Sequence, residues 1–171
     1  MDRVKVTWFG HSSVLLQMHG LNILSDPMFS ERSSPFQWVG PRRFTSPSVS
    51  MDELPHIDAV LLSHDHYDHL DRRTVQQLAR KTDRFIVSLG LENHLRCWKI
   101  PAAKITPLAW WKSADINGLE VTCTPSRHFS GRGLVGQNST QWCSWVLRDE
   151  YHSIFNSGDG SYPQTVTPEP P

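Results

Sequence analysis

Residues 63–71, SHDHYDHLD, narrow what this chain can fold into more than any other stretch. His64, His66 and His69 share eight residues with Asp65, Asp68 and Asp71, directly after the apolar run DAVLLS at 58–63. A run of that length reads as a buried strand. The fold must therefore let a strand end open onto a cluster of titratable groups. His64 and His66 are two apart, and in extended backbone such side chains point the same way. Asp68 and His69 are adjacent and diverge unless the backbone turns. Asp71, as the cap of a helix through RRTVQQLARKT, supplies that turn. Two pairs of donors then aim at two nearby points. Imidazole with carboxylate suits zinc, and also iron or manganese. Two ions about 3.5–4 Å apart can hold a bridging hydroxide as nucleophile. The competing reading is a polar loop that only caps the helix.

The rest of the chain sets bounds on that site. Its 171 residues are enough for one domain with a real core. A net charge of zero and a pI near 7.1 give no electrostatic footprint for nucleic acid or an anionic membrane. Cys97, Cys123 and Cys143 are odd in number and far apart, which argues against a disulfide framework or a cysteine-rich zinc site. No apolar run approaches the roughly 18 residues of a membrane span. The opening MDRVKVTWFG reads as a strand rather than a signal peptide, and a reduced, cytoplasmic setting is expected.

Val4, Val6 and Trp8 alternate with polar residues as in a half-buried strand. SVLLQM and LNILSD, separated by His19-Gly20, predict a hairpin. Residues 30–56 hold four prolines and many serines and predict a long loop. RFIVSL, LEVTCTP, CSWVLRD and HSIFNSGD predict further strands, and LENHLRCW a short helix. The order predicts a mixed α/β arrangement. The domain is expected over 1–162, with a loose proline-rich tail at 163–171.

H-x-H-x-D-H after an apolar strand resembles the signature of the metallo-β-lactamase superfamily. The flanking text resembles its phospholipase D branch, which hydrolyses N-acyl-phosphatidylethanolamine, and the bacterial relatives of that branch. The resembling stretches are WFGHSSVLLQ, ILSDPMFSERSSP, VGPRRF, ELPHIDAVLLSHDHYDHLD, PSRHFSGR, QWCSWVL and NSGD, in order from residue 8 to 159. The resemblance implies an αββα sandwich and a zinc phosphodiesterase with a metal-bound hydroxide. It implies that His64, His66 and His128 hold a first metal, that Asp68 and His69 hold a second, and that Asp159 bridges them. Asp68 would also orient the hydroxide. Asp26, in LSDP, would orient a ligating imidazole or simply make an Asp-Pro turn. His11 in GHSS would line the site or sit in a turn. Arg42, Arg43 and Arg132 are candidates for a phosphate, or are solvated. Trp110-Trp111 line an acyl groove or belong to the core. The expected substrate is a small molecule or a phospholipid. A lactonase or other ester hydrolase of the same fold, and a metal-binding but catalytically weak half-domain, are the alternatives.

Two departures stand out. The family's G-D-T-G-Y reads Gly158-Asp159-Gly160-Ser161-Tyr162 here, and no histidine follows Asp159. The sandwich is therefore expected to stop after its first sheet and helices. One face of that sheet, with Val14, Leu16, Ile23, Val60, Leu62 and Val146 as candidates, would be bare and would favour a homodimer.

Overall fold

In the computed structural model of the chain, residues 3–133 and 135–161 are described, and the expected tail at 163–171 lies outside them. The expected hairpin is present. Strand β1 (Lys5–Trp8) pairs antiparallel with β2 (Val14–Met18), which pairs with β3 (Leu21–Ser25). His19 and Gly20 turn between them with φ of 52° and 72°. The long loop follows, with an isolated Arg32–Arg42 bridge as its one piece of ladder among the described residues. Then β4 (Ile57–Leu62), helix α1 (Arg72–Leu78), β5 (Thr82–Ser88), helix α2 (Glu92–Cys97) and β6 (Ile105–Leu108) complete a six-stranded sheet in sequence order. From β3 to β6 the pairing is parallel.

Asp71 caps α1 as expected, accepting from the Arg73 amide. The helix stops at Leu78, short of Arg80 and Lys81. Lys81 instead donates to the carbonyls of Met51, Asp52 and Leu54 and anchors the far end of the long loop.

The α/β sandwich extends further than the sequence suggested. Strands β7 (Ser113–Ile116), β8 (Leu119–Thr124), β9 (Ser144–Arg148) and β10 (Ser153–Asn156) form a second, antiparallel sheet in the order β10-β9-β8-β7. It packs on the first. Leu16, Ile23, Ala59, Leu61 and Ile86 on one side meet Leu119, Val121, Trp145 and Leu147 on the other. The opposite face of the first sheet buries Leu24, Val60, Leu62 and Phe85 against Val75, Leu78 and Leu95 of the helices. Both faces of β4 are thus covered, which explains its unbroken apolar run. The bare face expected from the sequence does not exist. Leu16 and Ile23 lie under the second sheet, Val60 and Leu62 lie under the helices, and the physical ground for a dimer goes with it. β6 and β7 escaped notice in the sequence because each has four residues, with Pro107 in one and Ser113 and Asp115 in the other. Trp111 is not core either: it is 70% exposed, while Trp110 is half-buried at the edge of the inter-sheet core.

Among the described residues Trp145 is the largest fully buried side chain, and its indole nitrogen has no hydrogen-bond partner there. An unpaired buried donor costs about 1–3 kcal/mol, whereas removing a buried tryptophan altogether costs about 3–5. Urea unfolding should therefore show a loss of about 3–5 kcal/mol for Trp145→Ala. Trp145→Phe should lose under about 1 kcal/mol, since it sheds the unpaired donor while keeping most of the bulk.

Candidate metal centre

Four strand ends on one edge of the sandwich deliver the site. Past β3 the chain reaches Asp26, and past β4 it reaches Ser63 and His64. His128 follows β8 and Asp159 follows β10. His64 and Asp65 follow β4 without regular structure, and the chain then bends at His66 and turns through Tyr67–His69, with the amides of His69 and Leu70 both bonded to the His66 carbonyl. That is the turn the adjacent Asp68 and His69 required.

Three ring nitrogens converge. His64 Nε2 lies 2.9 Å from His66 Nδ1, and His128 Nε2 lies 3.2 and 3.3 Å from these two. Zinc–nitrogen bonds of about 2.0–2.1 Å at tetrahedral angles separate ligand atoms by about 3.3 Å, so these donors fit one ion. Asp159 lies between this group and His69. Its Oδ2 is 3.9 Å from His128 Nε2, and its Oδ1 is 3.1 Å from His69 Nε2. His69 Nε2 is buried and has no partner in hydrogen-bond geometry among the described residues. A buried imidazole nitrogen left over in this way suits a second ion. Asp68, His69 and His11 make the second donor group.

The tautomers follow from one carboxylate. Asp26 is buried, and it accepts from the Ser63 amide at 2.8 Å, from Ser63 Oγ at 2.7 Å and from His69 Nδ1 at 3.1 Å. Because Ser63 Oγ donates to Asp26, it accepts from His64 Nδ1 at 2.9 Å. Both imidazoles therefore carry hydrogen on Nδ1 and turn Nε2 toward the site. Asp26 lies within hydrogen-bond reach of His69, one of the imidazoles the resemblance names as a ligand. Ser63 was not singled out in the sequence, although a hydroxyl next to a ligating histidine is a signal worth reading.

Charge divides the two positions. Burial, helped by the charge of His69, lowers the His64 imidazole to about 4. Burial also disfavours charge on His69, but the Asp26 charge and the contact with Asp159 outweigh it and raise His69 to about 10. The same contact holds Asp159 down at about 2. Asp68 is raised by burial, yet its hydrogen bond with His11 and the charge of His69 bring it below the ordinary carboxylate range.

Arg132 was expected at a substrate phosphate, but its guanidinium is committed to the protein. Nη1 donates to the carbonyls of Asp65 at 2.7 Å and Leu70 at 2.8 Å, the two ends of the histidine loop. It stacks 4.0 Å over the Tyr67 ring, and the Tyr67 hydroxyl donates back to the Arg132 carbonyl. The Gly131 amide donates to Asp65 Oδ1 at 2.6 Å. The loop carrying His128 is thus fastened to the loop carrying His64 and His66. Phe129 packs against the rings of His66 and His128. Arg43 is likewise spent on the carbonyls of Phe9, Met28 and Thr45. Arg42 lies at the surface, paired with Glu31 at 2.6 Å. Gly158 has φ of 54°, and a side chain there would come within 3.2 Å of Ser63 Oγ, so glycine lets the Asp159 turn close onto the site.

Two predictions follow the geometry. Arg132→Lys cannot stack and fork in the same way, and it should weaken first-position metal affinity about 10–100-fold in a chelator competition. The second concerns pH. His69 holds a proton up to about pH 10 in the metal-free protein, so an ion at Nε2 must displace it. Second-position affinity should rise about tenfold per pH unit from 7 to 9, one proton being released. His64 is neutral above about 4, and it adds no such slope at the first position. Equal slopes for both ions would contradict this.

The sequence matches the beta-lactamase superfamily domain over residues 21–168. An uncharacterized protein of Mycobacterium tuberculosis is 45% identical over 167 residues, 97% of this chain and 45% of that protein. N-acyl-phosphatidylethanolamine-hydrolyzing phospholipase D 1 of Caenorhabditis elegans is 32% identical over 165 residues, 91% of this chain and 46% of that protein. The chain thus spans about half the length of the curated relatives it matches. Among solved structures, CmlA, a diiron beta-hydroxylase from Streptomyces venezuelae, shares the fold with a TM-score of 0.70 at 19% identity, covering 94% of this chain and 30% of that one. No helix among the described residues is long and apolar enough to cross a membrane. With most of its length matched and its sandwich shared, the chain belongs to the metallo-β-lactamase superfamily.

Proposed function

We propose that this chain forms the metal-binding part of a zinc-dependent phosphodiesterase of phospholipase D type. The observation that supports this reading is the convergence of His64, His66 and His128, with Asp159 set between them and the buried Nε2 of His69. Imidazole and carboxylate donors take zinc, and the diiron neighbour supports iron as the alternative. Bound ions supply Lewis acidity and lower the pKa of a water. The chain's own residues do the rest. Asp68 stays ionised beside His11 and orients the attacking water. Trp8, Met28 and Phe44 line a cavity of about 380 Å³ that borders His11 and Asp68, an apolar wall for an acyl arm. Arg42 lies on the same cavity and takes the anionic phosphoryl group, exchanging its exposed partner Glu31 for it. The name of the Caenorhabditis elegans relative supports a phospholipid substrate. Three free cysteines suit a reducing, cytoplasmic setting.

The test is hydrolysis by the zinc-loaded chain of N-acyl-phosphatidylethanolamine in mixed micelles, with a lactone in parallel and the His66→Ala chain as blank. Phosphodiester cleavage that disappears on chelation is the expected result. Cleavage of the lactone alone would replace the proposal with an ester hydrolase of the same fold. Two bound ions without turnover of either would limit this chain to metal binding.

A further inference from the structure

We propose that His11 is a ligand of the second metal position, where it joins Asp68, His69 and Asp159 as a protein donor. This rests on the two-ion reading above. His11 lies in the turn between β1 and β2, far in sequence from the histidine loop. Its Nε2 is nevertheless 2.8 Å from Asp68 Oδ2, and its ring meets that of His69 edge-on with centroids 6.0 Å apart. The donor atoms of His11, Asp68 and His69 lie within 4.8 Å of one another. His69 Nε2 is buried, 3.1 Å from Asp159 Oδ1, and without a partner in hydrogen-bond geometry among the described residues.

The backbone shows that this placement is built. His11 has φ of 51°, a left-handed conformation uncommon outside glycine. Such strain persists only where the surroundings over-determine it, and it gathers at functional positions. Here the surroundings do. Trp8 Nε1 donates to the His11 carbonyl at 2.7 Å. Ser12 Oγ donates to the Asp68 carbonyl at 2.9 Å, and Ser13 Oγ to the Asp26 carbonyl at 3.2 Å. Arg43 donates to the Phe9 carbonyl at 3.0 Å and fills the space that a side chain at residue 10 would need. Ser12 fastens the turn to the histidine loop on one side of His11, and Arg43 of the long loop holds it on the other. An exposed His–Asp pair contributes under about 1 kcal/mol and does not call for a strained turn held this way. Among the described residues, the second position without His11 has two carboxylates and one imidazole. With it, two imidazoles and two carboxylates match the mixed donor sets that zinc and iron accept.

Cadmium-113 and histidine labelled with nitrogen-15 read the ligands directly. The wild-type chain should take two ions and show cadmium–nitrogen coupling to five imidazoles: His11, His64, His66, His69 and His128. Asparagine tolerates the left-handed turn but lacks the imidazole. His11→Asn should therefore keep the fold and the first ion, and lose more than about 100-fold in affinity for the second, beyond what loss of an outer partner gives. Coupling to four imidazoles in the wild type, or a loss in His11→Asn confined to about 10–100-fold, would overturn the proposal and leave His11 as a group that positions Asp68. A wild-type chain that takes one ion would overturn it as well. A chain that takes no ion would bring down the two-ion reading itself, a failure distinct from a filled second position indifferent to His11.

Discussion

The buried carboxylate of Asp26 is the contact on which the site depends. A charge with almost no access to water is costly unless its lone pairs are occupied. Asp26 fills them with the Ser63 amide, the Ser63 hydroxyl and His69 Nδ1. The first of these fixes the backbone leaving β4. The second, relayed through the hydroxyl, fixes the ring of His64. The third fixes His69. One carboxylate therefore sets the orientation of an imidazole at each metal position. Asp26 itself is held in a left-handed conformation by its amide, bonded to Leu61 at the end of the neighbouring strand. The chemistry is in this way tied to the register of β3 against β4.

That register explains why a sandwich suits the site. Parallel neighbours β3 and β4 end side by side, so Asp26 and Ser63 meet without any long connection. The second sheet brings the remaining ligands to the same edge. Cys143, just before β9, bonds through its amide to the Ser63 carbonyl and joins the two sheets beside the metal loop. Apolar packing between the layers does the positioning, and short polar contacts at the edge refine it.

How much of this could be read in the sequence depended on range. The convergence within the HDHYDH loop was legible because its candidate donors are local, and residues two apart in extended backbone point the same way. His128 and Asp159 were reachable through resemblance alone, since isolated histidines and aspartates carry no spacing signal. Asp26 left an Asp-Pro turn as an equal reading, because its partners are 37 and 43 residues away. Arg132 was misjudged for the same reason. Arginine near a metal motif suggests a phosphate, and nothing local reveals that two backbone carbonyls have claimed it. Three strands of the second sheet were legible, but its polar edge strand β7 was not, and nothing in the strands themselves showed that they pair apart from the first sheet.

The Arg132 clamp has a bearing on how this protein relates to its ions. In small zinc modules the metal holds the chain together, and chelation unfolds it. Here Arg132, Tyr67, Asp65 and Gly131 fasten the ligand-bearing loops by protein contacts alone. These contacts do not depend on an ion, so a chelator is expected to empty the cradle without unfolding the chain. If ions bind there, one can then be exchanged for another in the folded state, and the metal carried becomes a matter of supply.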